Sequence, residues 1–260
     1  SIHEMLDEQV AAVLINHVDY RSGIIRDMEN LTRQVQEFGG LAVWDLSHSA
    51  GIFPVQLNRC RVDFAVGCTY KYLNGGPGAP AYLYVASRHH TACNQPLSGW
   101  FGHARPFDFE RHFDPDSGIR RFVCGTQPIL SLRALQSGLE IYQDVSLQQV
   151  REKSMALTDL FIMLLKNECA AWELEIISPE DASQRGSQVA VSHPQGYAVM
   201  QALISRGVIG DFRAPNLMRF GFAPLFLSYQ DIHDAVKQLK QILEAKEWNQ
   251  EAFLQKSKVT

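Results

Sequence analysis

The sequence is short of the features that usually give a protein away, and each shortage excludes something. Its five cysteines (Cys60, Cys68, Cys93, Cys124, Cys169) are scattered, odd in number and without a C-x-x-C pair. That argues against a zinc or disulfide framework and for reduced thiols in a cytoplasmic protein. There is no excess of positive charge: 24 Lys and Arg against 28 Asp and Glu leave a net charge of −4 and a pI near 6.1. A nucleic-acid partner therefore has no electrostatic footprint here. No apolar run, that of residues 160–165 included, exceeds six residues, far fewer than the ~20 a membrane-spanning helix needs. Ser1-Ile2-His3-Glu4 has neither the basic end nor the apolar stretch of a signal peptide. No initiator methionine precedes it, so the chain is expected to begin inside a domain. Gly75, Gly76 and Gly78 lack the Gly-Lys-Ser/Thr ending of a P-loop, and His89-His90 has no accompanying H-E-x-x-H, which makes it a turn and leaves no metal site. Internal repeats and low-complexity tracts are missing as well.

What is present is apolar patterning sufficient for a sizeable core, 46% of 260 residues. Residues 10–15 (Val-Ala-Ala-Val-Leu-Ile) form a continuous apolar run ending at Asn16, as expected of a strand buried on both faces. Residues 27–38 read as a helix, with Asp27 as N-cap, Leu31, Val35 and Phe38 on one face and Gly39 as the stop. Further strands are expected at 41–44, 63–68 and 81–85. Strand, helix, strand at this spacing is a βαβ unit with parallel strands. Residues 87–126 are rich in Pro, Gly, His and aromatics, the mark of a functional or interface segment. A helix is expected from Pro128, as first helical residue, to about Asp144. Another opens at Ser146, where Gln149 completes a capping box, and runs to about Cys169. Beyond it, strands at 174–177, 188–191, 208–209 and 217–220 alternate with helices at 197–206 and from Ser228. The expected division is 1–145 as part of a large domain, 146–169 as a bridging helix and 170–260 as a small α+β domain.

In open α/β sheets ligands sit outside the carboxyl ends of the strands. Asn16, Asp45 and Lys71 each fall at such an end. Lys71 lies where an apolar strand gives way to the flexible turn Asn74-Gly75-Gly76-Pro77-Gly78, whose backbone can approach a ligand closely. Partial desolvation there favours the neutral, nucleophilic amine. Taken singly, Lys71 reads as a surface lysine, Asp45 as a helix cap and His48 as a hydrogen-bonded core histidine. Taken together, a strand-end Asp followed by a lysine at the next strand end is what pyridoxal phosphate enzymes need. The carboxylate pairs with the pyridine nitrogen and the lysine carries the cofactor as a Schiff base.

Four stretches go further. Asp45-Leu46-Ser47-His48-Ser49-Ala50-Gly51, Tyr70-Lys71-Tyr72-Leu73-Asn74-Gly75-Gly76-Pro77-Gly78, Gly99-Trp100-Phe101-Gly102-His103 and Gly125-Thr126-Gln127-Pro128-Ile129-Leu130 closely resemble kynureninase, a pyridoxal phosphate enzyme of fold-type I. The likeness runs from Val10 to about Leu243. It implies an α/β fold with a mostly parallel sheet in the large domain and a small C-terminal domain. It also implies hydrolysis of L-kynurenine or 3-hydroxykynurenine to anthranilate or its hydroxy analogue and alanine, a step of tryptophan catabolism and NAD biosynthesis, by a homodimer with shared active sites. By motif matching, the resemblance implies Lys71 as the Schiff-base lysine, Asp45 as the pyridine-nitrogen partner and His48 as a cofactor-site histidine. Tyr70 matches a phosphate ligand and proton donor, Trp100 and Thr126 phosphate-site residues from the neighbouring subunit, and Arg219 the arginine that holds the substrate carboxylate. Asn16 stands where relatives often carry a serine at the cofactor. In the family a substantial N-terminal part precedes the position of Ser1, with the phosphate-wrapping loop and a ring-stacking aromatic. Alternative readings are a cysteine desulfurase-like enzyme or aminotransferase of the same fold, or an inactive truncated remnant with a binding role.

Overall fold

The structure, a computed structural model, describes residues 2–256. These divide into two compact units. One takes the chain up to His17 with Asp27–Ala50 and Val55–Asp144; the other takes Val18–Arg26, Gly51–Pro54 and the chain from Val145 on.

The first unit is built on a four-stranded sheet in sequence order: β1 (Ala12–Asn16), β2 (Leu41–Asp45), β3 (Phe64–Cys68) and β4 (Ala81–Val85). β1, β2 and β3 run parallel, and β4 returns antiparallel to β3. Helix α1 (Met28–Glu37) joins β1 to β2. Its Asp27 cap accepts the Asn30 N–H at 3.0 Å, and Gly39 ends it at φ +80°, a conformation that favours glycine because it has no Cβ. Met28, Thr32 and Val35 on α1 cover one sheet face, where Ile15, Ala42, Trp44 and Ala65 are buried. The Trp44 indole N–H donates to Thr32 Oγ1 at 2.9 Å, so the one polar atom of that ring is satisfied inside the core. The other face is different. Leu14 is 69% exposed, Leu83 40% and Leu41 37%, so the expectation of a first strand buried on both faces is overturned. An apolar run records that both faces are apolar, not that both are covered. Residues 87–126 hold only short 3₁₀ turns, and helix α2 (Ile129–Glu140) follows. Pro128 is its N-cap and not its first helical residue, and a 3₁₀ turn carries the chain on through Gln143.

The second unit has an antiparallel sheet in the order β5 (Glu175–Ile176), β6 (Gln188–Ser192), β8 (Leu217–Gly221), β7 (Asp211–Arg213). Helices α3 (Leu147–Glu168), α4 (Gly196–Ser205) and α5 (Tyr229–Glu244) enclose its core, which holds Phe161, Val189, Met200, Leu203, Met218, Leu239 and Ile242. Short α6 (Glu251–Leu254) closes it. Both predicted capping boxes form, Ser146 with Gln149 and Ser228 with Asp231, and Gly207 ends α4 at φ +83°. The strand expected at 208–209 is irregular; the pairing falls on β7 instead, where Phe212 points into the core between Asp211 and Arg213.

Candidate active site

The first unit gathers its functional side chains at the carboxyl end of the sheet. Asn16 and Asp45 are register partners at the ends of β1 and β2, and the chain leaving β1 is pinned there by His17 N–H donating to the Asp45 carbonyl at 2.9 Å. Asp45 is half-buried, and its Oδ1 accepts the Ser47 N–H at 2.8 Å. That contact starts the turn carrying His48 and leaves the second carboxylate oxygen for another donor. Lys71, beyond the end of β3, places Nζ 3.1 Å from His48 Nε2. An ammonium can only donate, so Nε2 is the acceptor when Lys71 is charged. Lys71 Nζ also stands 5.4 Å from the centre of the Tyr70 ring. Tyr70 itself is 52% exposed.

The loop holding Lys71 is fixed from several sides. Asn74 N–H donates to the Lys71 carbonyl at 3.0 Å and Gly75 N–H to the Thr69 carbonyl at 2.9 Å. A Cβ on Gly75 would stand 2.8 Å from Ala79 Cβ, and one on Gly138 of α2 would stand 2.6 Å from the Asn74 carbonyl. The Tyr142 hydroxyl donates to the Tyr72 carbonyl, and burial pushes its pKa up to about 12, so it stays a neutral donor. Gly138 and Tyr142 escaped the sequence reading, because neither belongs to a motif. Their one signal was position on the helix that follows the irregular segment.

Asp45, His48, Lys71, Tyr70 and Asn16 thus share one sheet end. Trp100 is 45% exposed, packed against Phe101 and Phe107, with ring centres 4.1 and 5.8 Å away. Thr126 is exposed. Neither hydrogen-bonds to the Lys71 group among the described residues. Arg219 belongs to the second unit. On β8, its Nε donates to Asp211 Oδ1 at 2.6 Å and its Nη2 to Asp211 Oδ2. No group of three or more His, Cys, Asp or Glu side chains placed to hold a metal ion occurs among the described residues, and no helix among them is long and apolar enough to cross a membrane.

This fold is shared with known enzymes. The apo cysteine desulfurase of Thermococcus onnurineus NA1 superposes with a TM-score of 0.76 at 18% identity, over 90% of this chain and 60% of that one. A cystine C-S lyase in complex with its product cysteine persulfide superposes with 0.79 at 17%, over 92% and 63%. A mutant of the same lyase, with glycine covalently linked to its pyridoxal phosphate cofactor, gives 0.79 at 16%, over 92% and 62%. The architecture is that of the fold-type I pyridoxal phosphate enzymes. Kynureninases of Burkholderia mallei strain SAVP1 and of Pseudomonas fluorescens are each 49% identical over 257 residues, 99% of this chain. Residues 150–239 match the family described as the Kynureninase C-terminal domain. By sequence the chain is similar to these kynureninases over nearly all of its own length, and it spans 62% of theirs.

Proposed function

We propose that this chain forms the cofactor- and substrate-binding part of a kynureninase. The reaction hydrolyses L-kynurenine or 3-hydroxykynurenine to anthranilate or 3-hydroxyanthranilate and L-alanine. The observation that carries this reading is Lys71 Nζ lying 3.1 Å from His48 Nε2 at the sheet end that also holds Asp45, in a chain 49% identical to kynureninases. The donor set fits pyridoxal phosphate: an amine for its carbonyl carbon, a carboxylate for its ring nitrogen, and an imidazole and a phenol alongside. The first unit is the part that would hold it, through Lys71, Asp45, His48, Tyr70 and Asn16, with Trp100 and Thr126 at the phosphate of a neighbouring subunit.

When bound, the cofactor supplies a conjugated ring that takes up electrons released at the substrate α-carbon. The rest falls to the chain. Asp45 keeps the ring nitrogen protonated by offering it a carboxylate. Lys71, its amine freed by the incoming substrate amine, removes the α-proton as general base. His48, already in hydrogen-bond contact with that amine, gives the proton a place to go. Water adds its hydroxyl to the γ-carbonyl carbon, the Cβ–Cγ bond breaks, Tyr70 delivers a proton to the β-carbon, and Lys71 returns the proton it removed to the α-carbon, which balances the hydrolysis. Arg219 holds the substrate carboxylate, a task suited to a planar guanidinium.

A homodimer is part of the proposal. Leu97, Phe107 and Phe109 are 70%, 70% and 86% exposed in the segment of Trp100, a density of apolar surface that marks an interface. The cytoplasm is the proposed compartment, supported by five free cysteines. Borohydride reduction of the protein with pyridoxal phosphate, followed by peptide mapping, is expected to place the pyridoxyl group on Lys71. Labelling of another lysine overturns the assignment. An assay that follows anthranilate from kynurenine and sulfide from cysteine is expected to register only the first, and the reverse result would assign the desulfurase chemistry instead.

A further inference from the structure

Arg219 is more constrained than a carboxylate-binding arginine needs to be, and its constraints carry information. Asp211 lies directly across the β7–β8 ladder from it, the arrangement in which opposite charges meet on one sheet face. The short strand Asp211-Phe212-Arg213 alternates, so Phe212 is buried while Asp211 and Arg213 share the face of Arg219. Asp211 takes the side-on edge of the guanidinium, Nε and Nη2, and Arg219 Nη1 donates to the Tyr20 carbonyl, with the Tyr20 ring centre 5.8 Å away. Three of the five N–H groups are then engaged. One on Nη1 and one on Nη2 have no protein partner among the described residues, although the side chain is only 10% exposed. Arg213 Nη2 lies 3.4 Å from the same Asp211 carboxylate. Two guanidiniums therefore share one carboxylate, and a single positive charge is left over.

We propose that Asp211 is a positioning residue: it holds Arg219 side-on so that the two remaining N–H groups face a ligand carboxylate, and Arg213 restores the positive charge that Asp211 cancels. The inference rests on the reading of Arg219 as the carboxylate-binding residue. It adds that the ligand must carry a planar monoanionic carboxylate, and that recognition fails when the guanidinium is free to turn. Asp211 touches neither substrate nor cofactor; it acts through Arg219.

The test compares two probes that differ only in this group, L-alanine and L-alaninamide, titrated into the protein with and without pyridoxal phosphate. Binding is followed by calorimetry and by the side-chain N–H signal of Arg219 in ¹⁵N-arginine-labelled protein. Asp211→Asn is expected to weaken L-alanine about tenfold, the scale of a charge-assisted pair, to leave L-alaninamide unchanged, and to speed solvent exchange at Arg219 Nε. Asp211→Glu should recover most of the loss. If Asp211→Asn does not fold, Arg213→Gln serves, since Arg213 is 41% exposed; it should weaken L-alanine several-fold and spare the amide. Equal weakening of both probes, or of neither, overturns the positioning role. If Arg219→Gln also leaves L-alanine binding unchanged, it is the assignment of Arg219 itself that falls.

Discussion

Gly67 faces Tyr82 across the β3–β4 ladder, and a Cβ there would stand 2.3 Å from the phenol oxygen and 2.4 Å from Cζ. The glycine is required by a ring lying across it, not by its dihedrals. Gly67→Ala is expected to cost about 1–3 kcal/mol, as overpacking does, in a urea unfolding measurement. Tyr82→Ala in the same chain should recover part of that cost, and strict additivity would show that the ring has room to move. The Tyr82 hydroxyl is buried with no hydrogen-bond partner among the described residues. Its pKa is pushed up to about 12 by burial, with the charges of Cys68 and Asp45 adding, so it stays neutral. Losing an unsatisfied hydroxyl removes a desolvation cost, so Tyr82→Phe should leave stability unchanged or raise it by about 1 kcal/mol. A clear loss would mean that the oxygen has a partner in solution.

At the scale of elements, the starts of helices are where sequence and structure agree most closely, because a cap is a local device: Asp27, Ser146 and Ser228 each accept the N–H three residues on. Ser146→Ala is accordingly expected to cost about 1 kcal/mol, read from the midpoint of chemical denaturation, and no change would mean that α3 is held by packing alone. The parallel strands were legible from their unbroken apolar runs. β7 was not, since three residues with one apolar centre make no run and pair only because β8 lies beside them. For the same reason Asp211 could not be read beside Arg219, eight positions along. The strand-end rule did pick out Asn16, Asp45 and Lys71, and the structure gathers them at one end of one sheet. The 3.1 Å approach of His48 to Lys71 depends on a turn after β2 meeting a loop after β3, which no spacing encodes.

The molecule as a whole should be acid-sensitive in a defined way. Burial lowers the His17 pKa to about 4, and burial lowers that of His193 too. A histidine with a depressed folded-state pKa binds its proton mainly when unfolded. Stability is therefore full above about pH 6.5 and declines as pH falls toward 4, by about 3 kcal/mol for His17. Asp63 acts lower on the scale. Burial alone would raise its pKa, but hydrogen bonds from Ala42 N–H, Gln36, His89 and Arg88 hold it below the usual carboxylate range. Its contribution is present above the ordinary carboxylate pKa and is lost only as pH falls below that. Melting curves from pH 7 to 4 should show the decline, and His17→Phe should flatten it; an unchanged slope would place the titration elsewhere. One feature of the first unit bears on how the protein behaves in a tube. β1 is the last strand of its sheet, with no strand on its outer edge among the described residues, and Leu14 stands open beside that edge. Such an edge is a template for strand addition by another copy. Concentrated solutions of this chain should turn cloudy on standing, with a lag that shortens as concentration rises, and Leu14→Lys should lengthen that lag in light scattering while leaving the melting temperature in place.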